Sequence, residues 1–262
     1  MDNRQWFKDA KFGLMIHWGL YCLPAGEWNG MRLRQEQCGE WIQQNYCIPN
    51  AEYHKLASAF NPIFFNADEW AQLAVDAGMK YLVITAKHHE GFAMFHSKVD
   101  SFNIYDATPF KRDVVGELAD ACRRHGLKFG LYYSQDLDWS NPDGGGYDEP
   151  YMPEGNGWTC NAWDFPREGK DFSRYFEGKV KPQVTELLTN YGELALIWFD
   201  TPTSINQQQS RELADLVHKY QPNCLINSRI GNGMGDYASM GDNEIPENDM
   251  LDGLFESACT LN

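Results

Sequence analysis

In Glu193-Leu194-Ala195-Leu196-Ile197-Trp198-Phe199-Asp200-Thr201, six apolar residues run unbroken into a single carboxylate, and Pro202-Thr203 ends the pattern. A short continuous apolar run closed by turn residues fits a strand buried on both faces, as in a parallel sheet. Asp200 then stands at the carboxyl end of that strand, the edge where parallel α/β folds gather their chemistry. A lone Asp at such a point can equally cap the next helix, so its company decides its role.

The same pattern recurs on both sides. Residues 11–18 (KFGLMIHW) deliver His17, and a turn-rich loop over 19–28 closes on Glu27-Trp28. Residues 81–86 (YLVITA) run directly into Lys87-His88-His89-Glu90-Gly91. Residues 128–134 (KFGLYYS) end in Tyr132-Tyr133, and 224–228 present Arg229. Between these runs lie helical patterns: a loose one over 38–60, a capped one opening at Asn66 and stopped by Gly78, and one over 113–125. Two more follow, over 171–190 with Pro182 as a kink or fresh start, and over 204–220. Residues 136–169 have no clear period, and a loop of that length inside a compact domain is usually functional.

Strands alternating with helices, each strand nearly continuous in apolar residues, predict an α/β architecture with a parallel sheet. His17, His88, His89, Tyr133, Asp200 and Arg229 each follow a strand, and a barrel makes such positions converge on one mouth. A doubly wound sheet would spread them along an edge and would carry a Gly-rich phosphate loop, and neither GxGxxG nor GxxxxGK[ST] is present. The expectation is a (β/α)8-like, TIM-type barrel forming one domain over residues 1–262. Five strands are clear and two are weaker, against eight in a closed barrel. The last strand or strands are therefore expected to lie outside this chain or to come from a partner.

Composition narrows the function. A net charge of -15 argues against nucleic acid or an anionic membrane as partner. No run approaches the roughly 18 apolar residues of a membrane-spanning helix. Met1-Asp2-Asn3-Arg4-Gln5 is no secretory segment, so an export signal is absent or trimmed; the compartment is extracellular or periplasmic in the second case and cytoplasmic in the first. Seven cysteines without CxxC spacing suggest neither a disulfide framework nor a zinc site. The 9 Trp and 13 Tyr supply walls for stacking on sugar rings as well as core.

Three chemistries fit the residues at the mouth. His17, His88, His89 and Asp200 could ligate a metal, but there is no HxH or HExxH, and adjacent His88 and His89 would point apart within a regular strand. A pair of carboxylates could hydrolyse a glycoside, with Asp200 as nucleophile and a second acid further on. The same aromatic and polar rim would also serve a carbohydrate-binding barrel without turnover.

At this point the chain resembles the α-L-fucosidases, family 29 of the glycoside hydrolases, from Trp6 to Asn262. The matching stretches are Trp6 to Gly13 with Ile16-His17-Trp18-Gly19, Pro24-Ala25-Gly26-Glu27-Trp28, and residues 81–92, whose KHHEGF segment is the most specific. Phe129-Gly130-Leu131-Tyr132-Tyr133-Ser134, Ile197-Trp198-Phe199-Asp200 and Asn227-Ser228-Arg229 follow in order. The resemblance implies a retaining, two-step exo-glycosidase with no metal or cofactor, acting on fucosylated oligosaccharides or glycoconjugates; a homo-oligomer is compatible with it.

By the same resemblance Asp200 is the nucleophile, and His17, Glu27, Trp28, His88, His89, Tyr133, Trp198 and Arg229 hold the fucose hydroxyls, ring and methyl group. Phe255-Glu256-Ser257-Ala258-Cys259-Thr260 resembles the segment carrying the acid/base in one branch of the family, which selects Glu256. Another branch has its acid near residue 241, occupied here by Gly241, with Glu244 in reserve. Family members continue past Asn262 through a final strand and often a β-sandwich. Linkage and aglycone preference are expected to reside in loop 136–169.

Overall fold

The computed structural model describes residues 4–146, 161–166, 168–244 and 253–260. Nine strands appear among these residues: β1 (Leu14–Ile16), β2 (Glu27–Trp28), β3 (Met31–Arg32), β4 (Tyr81–Lys87), β5 (Lys128–Tyr133), β6 (Leu196–Phe199), β7 (Leu225–Ile226), β8 (Ala238–Ser239) and β9 (Phe255–Glu256). The helices are α1 (Gln5–Ala10), α2 (Ile42–Asn45), α3 (Asn50–Tyr53), α4 (Leu56–Ala59), α5 (Ala67–Asp76), α6 (Val114–Arg124), α7 (Phe172–Tyr175), α8 (Lys181–Asn190) and α9 (Gln207–Tyr220).

The main sheet has the order β1-β4-β5-β6-β7, and every pair in it is parallel. A parallel bridge between Asn227 and Tyr237 carries the succession on to β8, which pairs in parallel with β9. Seven parallel segments thus follow one another in chain order, five in the sheet and two beyond it. Each is laid on the same side of its predecessor. A doubly wound sheet reverses its order at a switch point; a (β/α)8 barrel does not. The two segments beyond the five-stranded sheet, β8 and β9, are only two residues long each. The β2–β3 hairpin is a separate antiparallel excursion.

Strand alternation divides the apolar residues into two cores. Val83, Tyr132, Leu196, Trp198 and Leu225 face the barrel interior with Phe7 and Tyr237. Their neighbours Leu82, Ile84, Leu131, Tyr133, Ile197 and Phe199 face outward, onto the layer of α5, α6, α8 and α9. Since Leu196 and Trp198 point inward, Asp200, two residues on, continues inward. The floor is closed by α1, whose Phe7 ring lies 4.6 Å from Tyr237 and whose Trp6 ring lies 5.9 Å from Tyr81.

Local chemistry sets the helix ends. Asn66 caps α5, and Asp113 caps α6 by accepting the Gly116 N–H at 2.9 Å. Asn206 and Gln209 form a reciprocal capping box on α9. Each such cap is worth about 1 kcal/mol. The pattern over 171–190 is one path in three pieces: α7, a single π turn over Phe176–Val180, then α8 with Pro182 in its first turn. Pro182 therefore starts a segment, as its missing N–H favours.

Candidate active site

Asp200 leaves β6 buried at the carboxyl edge of the strands. Its Oδ1 accepts from Arg229 Nη1 at 3.1 Å and from the Thr201 N–H at 2.9 Å, and its Oδ2 accepts from the Tyr132 hydroxyl at 2.7 Å. Gln135 ties three strand ends together, accepting the Asp200 N–H at 2.8 Å and donating to the Arg229 carbonyl at 2.9 Å. Thr201 has φ 45°, a left-handed conformation unfavourable for a β-branched residue. What holds it there is Asp136, whose carboxylate accepts the N–H groups of Thr203, Ser204 and Ile205 and the Thr203 hydroxyl.

The histidines lie opposite Asp200. β4 shifts register between Thr85 and Lys87 and ends there, and the chain turns through Gly91 at φ 82°. A side chain at Gly91 would strike Asp138 Oδ1, 2.3 Å from the Cβ position. Because His88 and His89 lie past the strand end, they do not point apart; their ring centroids are 4.0 Å from each other. His88 stacks on Tyr132 at 5.4 Å and stands 5.4 Å from His17, while His89 Nε2 lies 3.7 Å from Asp200 Oδ2. Burial pushes His88 down to about 4 and His89 well below its ordinary value, so both rings are neutral. The turn is anchored from outside the barrel by a buried ion cluster in which Asp138 meets Lys179 at 2.8 Å and Lys87 at 3.5 Å.

Trp198 stacks on Tyr132 with centroids 5.4 Å apart and lies beneath the Arg229 guanidinium, 4.6 Å from its ring centroid. Its indole N–H donates to Glu256 Oε1, which also accepts the Ser239 hydroxyl at 2.9 Å. Burial raises the Glu256 carboxyl above its ordinary value. Arg229 has a second carboxylate partner, Asp242, bound by Nη2 at 2.6 Å. The side chain of Asp242 is 69% exposed, so it stands at the rim. The charges of Asp200, Asp242 and Glu40 all act on His17.

The structure thus gathers His17, His88, His89, Trp198, Asp200 and Arg229 as the sequence foresaw, with Glu256 hydrogen-bonded to Trp198. It disagrees at three positions. Tyr133 faces the outer layer, where its hydroxyl donates to Gln183 at 2.9 Å; Tyr132 is the tyrosine on Asp200. Glu27 sits on the β2–β3 hairpin and pairs with Arg32 at 2.8 Å, while Trp28 packs against the apolar core. The Glu-Trp pair at the mouth is Glu40-Trp41. Glu40 acts electrostatically on both His17 and His88, and the Trp41 ring is 4.8 Å from His89 and 5.3 Å from Trp139. Glu244 caps a turn by accepting the Gly241 N–H at 2.8 Å. Among the described residues, no three His, Cys, Asp or Glu side chains are placed to hold a metal ion. Part of loop 136–169, residues 147–160 and 167, lies outside the described residues.

One family model, described as Alpha-L-fucosidase, matches residues 1–262. The chain is 42% identical to a tissue alpha-L-fucosidase of Rattus norvegicus over 209 residues, 76% of this chain and 40% of that protein. It is 30% identical to a putative alpha-L-fucosidase of Caenorhabditis elegans over 281 residues, covering all of this chain and 53% of the relative. The chain therefore spans about half or less of the length of these curated relatives. Among solved structures, alpha-L-fucosidase AlfC from Lactobacillus casei in complex with alpha-L-fucose superposes with a TM-score of 0.90 at 54% identity, over 98% of this chain and 78% of that one. An alpha-L-fucosidase from Vibrio sp. strain EJY3 superposes with a TM-score of 0.89 at 38% identity, over 98% of this chain and 44% of the other. By fold, by strand-end residues and by these similarities, the chain belongs to the alpha-L-fucosidase family.

Proposed function

We propose that this chain is the catalytic barrel of a retaining α-L-fucosidase, with Asp200 as the nucleophile. The observation that carries this reading is the setting of Asp200. A rigid strand delivers the carboxylate, Arg229 and Tyr132 take one oxygen each, and two neutral histidines face it. Asp200 attacks the anomeric carbon as the glycosidic oxygen departs, and water later releases the sugar with its configuration retained. His17, His88, His89 and Glu40 offer polar partners to ring hydroxyls, while Trp41, backed by the buried Trp139, offers an aromatic face to the apolar side of a 6-deoxy sugar.

The proton donor must face the leaving group, on the solvent side of the ring. Asp242 meets that requirement: it is exposed at the rim and shares the Arg229 guanidinium with Asp200. Glu256 is the second reading, favoured by its burial and raised proton affinity. Trp198 and Ser239 both donate to its Oε1, which suits a group that positions Trp198.

A mutant of the Lactobacillus casei enzyme has been solved with Fucα(1,6)GlcNAc, and by similarity we extend α1,6-linked fucose to this chain as its substrate class. The test is hydrolysis of an aryl α-L-fucoside and of Fucα(1,6)GlcNAc by wild type and Asp200→Ala. Turnover by wild type with a loss of at least about 10⁴-fold in the variant is expected. Equal turnover by both would refute the assignment.

A further inference from the structure

Ser134, the residue after β5, is buried and makes two hydrogen-bond contacts through one hydroxyl. Oγ lies 2.8 Å from the Leu137 carbonyl oxygen and 2.7 Å from His89 Nδ1. A serine hydroxyl has one hydrogen, and a carbonyl oxygen has none to give. The hydroxyl hydrogen must therefore go to Leu137, or two acceptors would face each other at 2.8 Å in a buried site. Oγ is left as an acceptor toward His89, and the hydrogen in that second contact has to sit on Nδ1.

The consequence appears on the other side of the ring. In a neutral imidazole, a proton on Nδ1 leaves Nε2 as a bare acceptor. His89 Nε2 is buried and lacks a hydrogen-bond partner. Its nearest charged neighbour, Asp200 Oδ2 at 3.7 Å, is itself an acceptor and is already bonded to Tyr132. The backbone is fixed as well, because the His89 carbonyl accepts the Trp139 N–H at 2.7 Å and the Ser134 N–H donates to the Lys87 carbonyl at 2.9 Å. Ring and relay therefore belong to one rigid unit, with an unfilled acceptor aimed beside the nucleophile.

We propose that Ser134 is a positioning residue whose Leu137–Ser134–His89 relay fixes His89 as an obligate hydrogen-bond acceptor, so that the site requires a donating hydroxyl next to the carbon that Asp200 attacks. The sugar side of this statement rests on the fucosidase reading; the placement of the proton does not. A site built to accept a hydroxyl hydrogen discriminates against an analogue that cannot donate one, since the buried nitrogen is then left unpaired. Fluorine in place of that hydroxyl keeps the size but loses the donor, so it should bind as poorly as hydrogen does. The depressed basicity of His89 agrees, because a protonated ring would present N–H there instead.

The experiment is a long-range ¹H–¹⁵N correlation spectrum of the ¹⁵N-histidine-labelled chain without substrate, followed by kinetics of Ser134→Ala and Ser134→Thr on an aryl α-L-fucoside. In wild type, the His89 signals should be those of a single tautomer protonated on Nδ1. Ser134→Ala should show mixed or reversed tautomers and raise KM about tenfold, equivalent to about 1.4 kcal/mol, with a smaller change in kcat. Ser134→Thr, which keeps the hydroxyl, should stay near wild type. A wild-type His89 protonated on Nε2 overturns the proposal whatever the variants do, as does a Ser134→Ala spectrum identical to wild type. If the wild-type protein does not cleave the fucoside, the fucosidase reading fails while the spectra still decide the relay.

Discussion

Asp200 and Asp242 are bound to the two terminal nitrogens of one guanidinium, Arg229 Nη1 to Asp200 at 3.1 Å and Nη2 to Asp242 at 2.6 Å. Two carboxylates held a guanidinium apart, one buried and one at the rim, can divide the labour of nucleophile and acid. Asp242→Asn should slow poor leaving groups by about 10²–10⁴-fold and activated aryl leaving groups far less, with azide restoring part of the rate. Glu256→Gln should lower both substrates alike. Kinetics with two leaving groups checks this, and the reverse pattern would transfer the acid's role to Glu256.

The adjacent tyrosines should separate cleanly. Tyr132→Phe removes a hydrogen bond to the Asp200 carboxylate, and a bond to a charged group is worth about 1.5–3 kcal/mol. The expected loss in kcat/KM is about 10–100-fold. Tyr133→Phe removes only the bond to Gln183, so it should lower the unfolding free energy by about 1 kcal/mol and spare turnover. Steady-state kinetics with denaturant melts on both variants checks the pair.

The two Glu-Trp pairs give a parallel contrast. Glu40→Ala and Trp41→Ala should raise KM by tenfold or more, on the order of 1.4 kcal/mol. Glu27→Ala breaks an exposed ion pair with Arg32, and such pairs contribute about 0–1 kcal/mol. Its kinetics should match wild type; a large KM effect at Glu27 would return that residue to the sugar site.

Stability should peak near pH 6.5. The Glu90 carboxyl is wholly buried, both its oxygens lack a hydrogen bond, and burial pushes it up to about 8. Its contribution is complete below the unfolded value of 4.5 and is lost as the pH rises to about 8. His88 and His89 are depressed from 6.5, so their contributions are present above 6.5 and are lost as the pH falls. Between pH 4.5 and 6.5 these histidines, with His17 likewise lowered to about 4, outweigh one carboxyl, and from 6.5 to 8 Glu90 governs. Glu90→Gln should flatten the decline between pH 6.5 and 8 in denaturant midpoints; an unchanged decline would contradict the buried neutral acid.

Much of this was legible because continuous apolar runs ending in polar residues survive folding unchanged. The run into Asp200, the helices at Asn66 and Asp113, and the convergence of strand ends follow from local pattern alone. Tyr132 and Tyr133 did not, because which of two adjacent residues faces the barrel depends on the phase of β5 against β6, a tertiary property. Three Glu-Trp pairs occur at 27–28, 40–41 and 69–70, equal in local sequence, and only the path of the chain brings the second to the mouth. His88 and His89 would point apart within a regular strand, but the strand stops at Lys87. β8 and β9 are two residues each, too short for any period to register. Ser134 acts through a hydroxyl hydrogen whose direction only three-dimensional partners determine.

Mass spectrometry of the chain treated with 5-fluoro-α-L-fucosyl fluoride, which keeps every ring hydroxyl, forms the glycosyl-enzyme and releases it slowly, addresses the central claim most directly. One added sugar per chain is expected, mapped to the peptide containing Asp200 and absent from Asp200→Ala. A sugar carried by any other side chain, or wild-type turnover that yields the β-anomer as first product, would contradict it.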